Sequence, residues 1–308
     1  MKQPIPHWPG QIVEFGSIAV NVRTTPPGPP EAAVFVHGLA GSATNWTDLM
    51  GELVGDVTGY AIDLPGAGYS PAPPDGDYSL RAHARAVIAL IEHIAAEREG
   101  APVHLFGNSL GGAVSVRVAA ARPDLIHTLT LVSPALPDLL PRYGPARIAM
   151  SATPRLGDWV VGRLRLLSAE RRVRATLAMC YADAARVHPE RIKDAVAELL
   201  RRDDLPHSAP ALVETARGLV LEYFRWGADT LWRQAAQVAA PTLVIHGRRD
   251  RLVDPRMATR AARTFPNVRI VTLPHAGHVA QMEYPEVVAR EARALIRHAR
   301  SRAARRSA

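Results

Sequence analysis

One serine of the chain lies in a pattern that is typical of a catalytic nucleophile. Residues 107–111 read GNSLG, a G-x-S-x-G motif centred on Ser109. The apolar run 102–106 before the motif is typical of a buried strand, and the Ala- and Val-rich run 113–121 after it is typical of a helix. A sharp turn between the two would strain the serine backbone and expose its hydroxyl. Such a turn leaves room only for small neighbouring residues. The motif therefore predicts that Ser109 is a nucleophile.

A serine hydroxyl reacts poorly at neutral pH unless a base activates it and a carboxylate orients that base. Asp250 follows the β-branched run 241–246, and His278 follows the similar run 268–273. The carboxyl ends of parallel strands meet at one edge of a sheet, where ligands bind. The chain order Ser109, Asp250, His278 is the order expected after such a turn. We therefore predict that Asp250 orients His278 and that His278 is the general base.

The elements that must position these residues alternate along most of the chain. Short apolar runs typical of strands occur at 12–15, 18–23, 32–36, 57–62, 102–106, 128–132, 241–246 and 268–273. Helical spacing occurs between them, with Val87, Leu90, Ile91 and Ile94 on one face of 80–97. This alternation predicts an α/β fold with a mostly parallel sheet flanked by helices.

Strand-like runs stop between residues 134 and 237, where amphipathic helical patterns are broken by prolines. We predict an all-helical cap over 134–237 and a core domain formed by 1–133 and 238–299. Residues 300–308 are rich in arginine and contain no large apolar residue, so we expect a flexible tail.

Four motifs together give the chain a resemblance to the α/β-hydrolase-fold superfamily. They are His37-Gly38-Leu39, the segment DLPGAGYS at 63–70, the segment GNSLGG at 107–112, and Asp250 with Gly277-His278. Acyl transfer needs two backbone N–H groups that stabilise an oxyanion, and one is expected from Leu110, the residue after the nucleophile. The resemblance implies that Leu39 supplies the other.

Other titratable residues near these motifs have structural interpretations that we favour. His275 competes with His278, but the resemblance implies a base directly after a small residue, and His275 is expected to be an ordinary loop residue. Asp254 precedes Pro255 and is expected to cap the helix that begins there. His37 is expected to brace the oxyanion loop through hydrogen bonds.

The identity of the nucleophile limits the reaction. The family's haloalkane dehalogenases and epoxide hydrolases carry aspartate at this turn, so the resemblance implies a serine hydrolase, and we favour cleavage of a carboxylic ester through an acyl-enzyme. The alternative is a C–C bond hydrolase of a meta-cleavage pathway, whose members share the segment 107–112. Those enzymes differ in having a glycine-rich oxyanion loop where this chain has Leu39, and a tryptophan where it has Val279. An alternative of another class is a non-catalytic ligand-binding protein, which the complete set of site residues disfavours.

Composition and charge place further limits on partners. The formal net charge is +8, and seven arginines lie within 290–308 against a single acid, Glu291. Such a tail could contact anionic lipid, but we favour a solvated tail because bulky apolar residues are absent from it. We expect no nucleic-acid partner, no metal and no cofactor, since neither ligand spacing nor a phosphate-binding motif occurs.

The remaining expectations concern location and substrate. With a single cysteine, Cys180, and no apolar segment typical of a signal peptide or membrane span, we expect a cytoplasmic protein. The substrate is expected to be a small molecule with an apolar acyl group. The larger aromatic side chains of the cap are predicted to contribute to its pocket; they are Trp159, Phe224, Trp226 and Trp232.

Overall fold

The computed structural model describes residues 4–138, 162–163 and 166–307. An eight-stranded sheet forms its centre, with spatial strand order β1-β2-β4-β3-β5-β6-β7-β8. The strands are β1 Gly10–Phe15, β2 Ile18–Thr24, β3 Ala32–Val36, β4 Thr58–Ile62, β5 Val103–Asn108, β6 Ile126–Val132, β7 Thr242–Gly247 and β8 Val268–Leu273. β1 pairs antiparallel with β2, and β2 pairs antiparallel with β4, whereas every other neighbouring pair is parallel. The predicted α/β fold with a mostly parallel sheet is confirmed.

Helices cover both faces of the sheet, which explains why its central strands β3 and β5 are buried along their whole length. The described α-helices are α1 Thr47–Leu53, α2 Leu80–Ala96, α3 Leu110–Ala121, α4 Ala169–Cys180, α5 Pro189–Asp203, α6 Ser208–Leu221, α7 Leu231–Ala235, α8 Met257–Thr264, α9 Ala280–Glu283 and α10 Pro285–Ser307. Every residue of β3 and β5 is buried. Burial on both faces favours continuous apolar runs over alternating ones.

Two apolar clusters form the core, one on each face. α2, α3, α7 and α8 pack into one cluster, and α1, α9 and α10 pack into the other. In the second cluster, the rings of Phe35 on β3 and Phe106 on β5 stack with centroids 4.5 Å apart. These contacts fix β5 beside β3, so the serine after β5 and the loop after β3 end at the same edge.

The described residues between β6 and β7 are helical. α4, α5 and α6 lie in this segment, and within it the described residues contain no strand. α7 also belongs to it by sequence, but Leu231 and Ala235 are fully buried in the core cluster that contains α3. The predicted cap thus corresponds to an inserted helical segment whose last helix packs with the sheet layer. Residues 139–161 and 164–165 of the predicted cap lie outside the described part.

The C-terminal helix differs from the sequence expectation. α10 extends from Pro285 through Ser307, whereas we expected a flexible tail from residue 300. The guanidinium of Arg300 donates to both carboxylate oxygens of Glu31 at 2.9–3.0 Å, and Glu31 also hydrogen-bonds His104 at 2.8 Å. Composition could not reveal this partner, because Glu31 is distant in sequence.

None of the helices in the described ranges has the length and apolarity needed to cross a bilayer.

Candidate active site

Ser109 lies at the sharp turn between β5 and α3. Its backbone has φ 53° and ψ −119°, a combination that is strained for a residue with a side chain. A Cβ on Gly107 would overlap the Gly111 carbonyl, and a Cβ on Gly111 would overlap the Val36 carbonyl. Both glycines of the motif are therefore needed for the turn to form. The strain presents Ser109 at the carboxyl edge of the sheet.

Asp250 and His278 are brought together in loops that follow β7 and β8. His278 Nδ1 lies 3.0 and 3.2 Å from the two carboxylate oxygens of Asp250, and both side chains are buried. Burial raises the pKa of Asp250, but the charge and hydrogen bond of His278 and the amides of Leu252 and Val253 outweigh it, so the pKa lies below its usual value. An ionised Asp250 accepts the Nδ1 proton of His278 and leaves Nε2 available as a base.

The serine and the histidine are connected through the residue before the serine. The amide of Asn108 donates to the carbonyl oxygen of His278 at 3.1 Å and to that of Val132 at 3.0 Å. Among the described hydrogen bonds, none joins the Ser109 hydroxyl to the imidazole of His278. Such bonds often tighten only when substrate is present. The structure thus places all three predicted residues at one edge and forms the Asp250–His278 pair directly.

The loop after β3 lies against the nucleophile. A Cβ on Gly38 would be 3.1 Å from the Cβ of Ser109, which leaves no room for a larger residue without adjustment. The next residue is Leu39, and Leu110 follows the serine. Within the described residues, neither amide N–H donates a hydrogen bond to another group. Two unpaired backbone donors beside a serine are the arrangement that an oxyanion requires.

His37 braces this loop. The Leu64 amide donates to His37 Nε2 at 3.0 Å, so the proton must be on Nδ1, which donates to the Gly38 carbonyl at 2.7 Å. Burial lowers the pKa of His37, which keeps the imidazole neutral. With both ring nitrogens engaged by the backbone, His37 has the contacts of a structural residue.

The rival residues lie outside this constellation. His275 is exposed, three residues before His278. The carboxylate of Asp254 accepts the backbone amide of Arg256 at 2.9 Å and pairs with its guanidinium at 2.8 Å, just before α8 begins at Met257. These contacts lie just before the helix, but the N-cap residue of α8 is Arg256, so the expected capping by the Asp254 side chain is not observed. Within the described residues, no group of three or more His, Cys, Asp or Glu side chains is arranged to hold a metal ion.

Sequence reasoning missed Glu283, a buried carboxylate behind the base. It accepts the Gly277 amide at 2.6 Å and the Ala182 amide, from the inserted helical segment, at 2.9 Å. The His278 amide donates to the Cys180 carbonyl at 2.7 Å in the same contact. Burial raises the pKa of Glu283. The inserted segment is thereby attached directly to the loop that carries the base, which no local sequence pattern could reveal.

A cavity of about 80 Å³ opens between the oxyanion loop and the inserted helices. Its apolar lining consists of small and aliphatic side chains, including Leu39, Leu64, Pro65, Ala67, Ala211 and Leu212.

The predicted aromatic pocket is not observed here: Trp226 is 90% exposed and Phe224 is 69% exposed. Trp232 is buried and donates from its indole to the Pro137 carbonyl at 2.7 Å. Trp159 lies outside the described residues.

Comparison with known families agrees with this geometry. The model of the α/β hydrolase fold family matches residues 33–285, which include every predicted site residue. The chain belongs to the α/β-hydrolase fold family. The resemblance predicted from the four motifs is thus confirmed.

Individual relatives support hydrolase chemistry. The chain is 30% identical to the 2-(acetamidomethylene)succinate hydrolase of Mesorhizobium japonicum, over 91% of this chain and 92% of the relative. It is 27% identical to the 2-hydroxy-6-oxononadienedioate/2-hydroxy-6-oxononatrienedioate hydrolase of Cupriavidus pinatubonensis, over 82% of each. The solved structure of a thermophilic esterase from Thermogutta terrifontis superposes on this chain with a TM-score of 0.72 at 24% sequence identity. The superposition covers 94% of this chain and 99% of the esterase, so the two proteins share a fold. The protein is therefore a hydrolase by family.

Proposed function

We propose that the protein is a serine hydrolase that cleaves a carboxylic ester of a small molecule through an acyl-enzyme. The proposal rests on three features that lie at the same edge of the sheet. These are a serine on a strained turn, a loop with unpaired amides against it, and a buried histidine held by a carboxylate. An α/β-hydrolase serine needs these parts for acyl transfer.

In the proposed mechanism, the Ser109 oxygen attacks the ester carbonyl carbon while His278 Nε2 takes the hydroxyl proton. Asp250 holds the imidazole through Nδ1 and stabilises the imidazolium. The carbonyl oxygen becomes an oxyanion, which accepts hydrogen bonds from the Leu39 and Leu110 amides. The C–O bond to the alcohol then breaks, and His278 returns its proton to the departing alkoxide. A water molecule, deprotonated by His278, releases the acid in the reverse sequence.

The cavity supports a short acyl group. Its volume of about 80 Å³ is smaller than the roughly 150 Å³ apolar cavity that holds a benzene ring. Leu39 and Leu110, whose amides are proposed to hold the oxyanion, both line the cavity, so the cavity adjoins the proposed oxyanion site. We therefore propose that the apolar acyl group of the substrate is short.

C–C bond hydrolysis is the second candidate. The identity with the Cupriavidus hydrolase and the shared segment 107–112 favour it. Two residues argue against C–C bond hydrolysis. The chain has Leu39 in the oxyanion loop, where the C–C hydrolases have a glycine-rich loop, and Val279 after the base, where they have tryptophan. Val279 is buried against Tyr181 of the inserted segment, so its site is not an open position for a larger ring.

Two parallel kinetic assays separate the two reactions. Purified protein is offered p-nitrophenyl butanoate and, separately, a 2-hydroxy-6-oxo-dienoate, whose loss is followed by its dienol absorbance. We expect kcat/KM for the ester to exceed that for the dienoate by at least about 100-fold, a difference of roughly 2.7 kcal/mol in transition-state stabilisation. A preference for the dienoate would replace ester cleavage by C–C cleavage, and turnover of neither would reject both.

A further inference from the structure

One helix of the inserted segment, α5, contacts the loop that carries a proposed oxyanion donor. The guanidinium of Arg202 donates to the Ala40 carbonyl at 3.0 Å. One turn earlier on α5, the carboxylate of Glu198 accepts from the hydroxyl of Ser42 at 3.0 Å and from that of Thr44 at 3.2 Å. Residues four apart lie on the same face of a helix, so one face of α5 holds the oxyanion loop at three points.

The ends of the oxyanion loop, which spans residues 37–45, are fixed by the core domain. At one end, His37 accepts the Leu64 amide at 3.0 Å. Toward the other end, the Ala43 amide donates to the carboxylate of Asp63 at 2.6 Å. Both partners directly follow β4, so these two hydrogen bonds do not depend on the inserted segment.

The middle of the loop, residues 38–41, is held differently. The amide of its fourth residue donates to the carbonyl of its first at 3.0 Å, which closes a turn within the loop. Among the described residues, the bond from Arg202 to the Ala40 carbonyl is the only hydrogen bond that joins 38–41 to a part of the chain outside the loop. Leu39 lies in this turn, so the inserted segment supports the stretch that carries the proposed oxyanion amide.

The turn is strained at Ala40. Its φ of 60° lies in the left-handed region, which costs about 1–2 kcal/mol for a residue with a side chain. Such a conformation persists only where the surrounding contacts maintain it. If Ala40 relaxed to negative φ, the peptide groups on either side of it would rotate, next to the Leu39 amide. Loss of the Arg202 contact is therefore expected to disturb the oxyanion geometry.

We infer that Arg202 and Glu198 are positioning residues, which hold the oxyanion loop from the inserted segment so that the Leu39 amide faces the carbonyl oxygen of the substrate. Arg202 maintains the strained turn, and Glu198 holds the residues that follow it. Neither side chain takes part in making or breaking bonds. The inference rests on the proposed function, because the Leu39 amide is taken to stabilise the oxyanion.

Variants of α5 test the inference by kinetics. Glu198→Ala and Arg202→Met remove the loop contacts and retain good helix formers. We expect each to lower kcat on p-nitrophenyl butanoate about 5- to 50-fold with KM within about threefold, a smaller loss than the roughly 10²–10³-fold loss for a missing oxyanion donor. Arg191→Gln is the control and should stay within about twofold, since Arg191 attaches the same helix to Asp48 of α1 at 2.5 Å, outside the oxyanion loop.

Two further measurements do not depend on ester turnover. Hydrogen–deuterium exchange of the peptide covering residues 37–45 should be faster in Glu198→Ala and Arg202→Met than in the wild type, and unchanged in Arg191→Gln. The rate at which a fluorophosphonate modifies Ser109 should fall by a factor similar to that in kcat, because the phosphoryl oxygen needs the same amides. Glu198→Gln keeps an acceptor oxygen for the two hydroxyls and should retain most of the wild-type exchange and rate.

The outcomes separate this inference from the proposed function. Unchanged exchange in both loop variants would overturn the positioning role, and so would faster exchange with unchanged kcat and unchanged phosphonylation. An equal loss of rate in Arg191→Gln would overturn it as well, because the effect would then come from attachment of α5 in general. A wild-type protein that hydrolyses no ester, with exchange and phosphonylation altered as expected in the variants, would contradict only the proposed ester hydrolysis.

Discussion

The carboxylate of Glu283 accepts the backbone amide of Gly277 at 2.6 Å, directly before the proposed base His278. The same carboxylate accepts the amide of Ala182 at 2.9 Å from the inserted helical segment. Two loops that meet behind the imidazole therefore share one acceptor. The position of His278 depends on this contact as well as on Asp250.

Replacing Glu283 should consequently disturb catalysis without removing a reacting group. Glutamine keeps one acceptor oxygen but faces the other amide with an NH₂ group, so we expect Glu283→Gln to lower stability by about 1–3 kcal/mol. Displacement of the base should lower kcat by roughly 10- to 100-fold, mainly without a change in KM. Glu286→Gln is the control, since Glu286 is an exposed acid nearby on α10. Unchanged kcat in a stable Glu283→Gln protein would exclude the positioning role.

The choice between the two neighbouring histidines gives a second prediction. His278→Ala should lower kcat on p-nitrophenyl butanoate by about 1000-fold or more, because nucleophile and base act as a unit. His275→Ala should leave kcat within twofold of the wild type, since His275 is exposed and outside the site. The two variants have the same size change and lie in one loop. An inactive His275→Ala protein beside an active His278→Ala protein would reverse the assignment.

Asp250→Asn tests the orienting carboxylate. The amide cannot accept the Nδ1 proton as a carboxylate does and favours the wrong tautomer, so kcat should fall by about 10⁴-fold, as for the equivalent change in serine proteases. The matched control is Asp254→Asn, which affects the contacts at the start of α8. Steady-state kinetics and circular dichroism on both variants measure the effect. An Asp250→Asn protein with near-normal kcat would remove Asp250 from the mechanism.

The contact of the C-terminal helix with Glu31 predicts a pH dependence of stability. The hydrogen bond from His104 lowers the pKa of Glu31 to about 2, against the smaller opposing effect of burial, and Arg300 adds to the lowering. Stability from this group is therefore complete above about pH 4.5, the unperturbed value, and is lost as pH falls toward 2. Because Glu31 is partly exposed, we expect a contribution of about 1 kcal/mol.

Urea unfolding of wild type and Glu31→Gln at pH 6 and pH 3 measures this contribution. The variant should be less stable at pH 6, and the difference should shrink at pH 3, because Glu31 of the unfolded chain (pKa about 4.5) is protonated there while the folded carboxylate (pKa about 2) is still largely ionised. Glu14→Gln on β1 is a surface control. A stability difference that is the same at both pH values would show that the Glu31 charge does not contribute.

The sequence predicted the parts of this molecule that depend on local patterns. The turn at Ser109 is encoded by neighbouring glycines, and Asp250 and His278 each follow an apolar run that ends at the carboxyl edge of the sheet. Their meeting follows from parallel strand order, which alternating strands and helices already indicate. Likewise, the placement of Leu39 beside Ser109 requires only that β3 and β5 be neighbours.

Contacts between distant segments could not be predicted in this way. Glu283 and Arg300 find partners about a hundred or more residues away, and no periodicity marks either residue. Phe224 and Trp226 are predicted to contribute to the pocket, but they lie at and just beyond the short 3₁₀ helix Glu222–Phe224 that follows α6, and both are exposed. Helix packing, rather than local composition, decides which side chains line the cavity.

The assignment of Ser109 as the nucleophile can be tested by covalent labelling. Wild-type protein and Ser109→Ala are incubated with a fluorophosphonate, and intact-mass and peptide mass spectrometry locate any adduct. We expect one adduct on Ser109 in the wild type, and no adduct in a Ser109→Ala protein whose circular dichroism is unchanged. A folded Ser109→Ala protein that is labelled as fully as the wild type would contradict it.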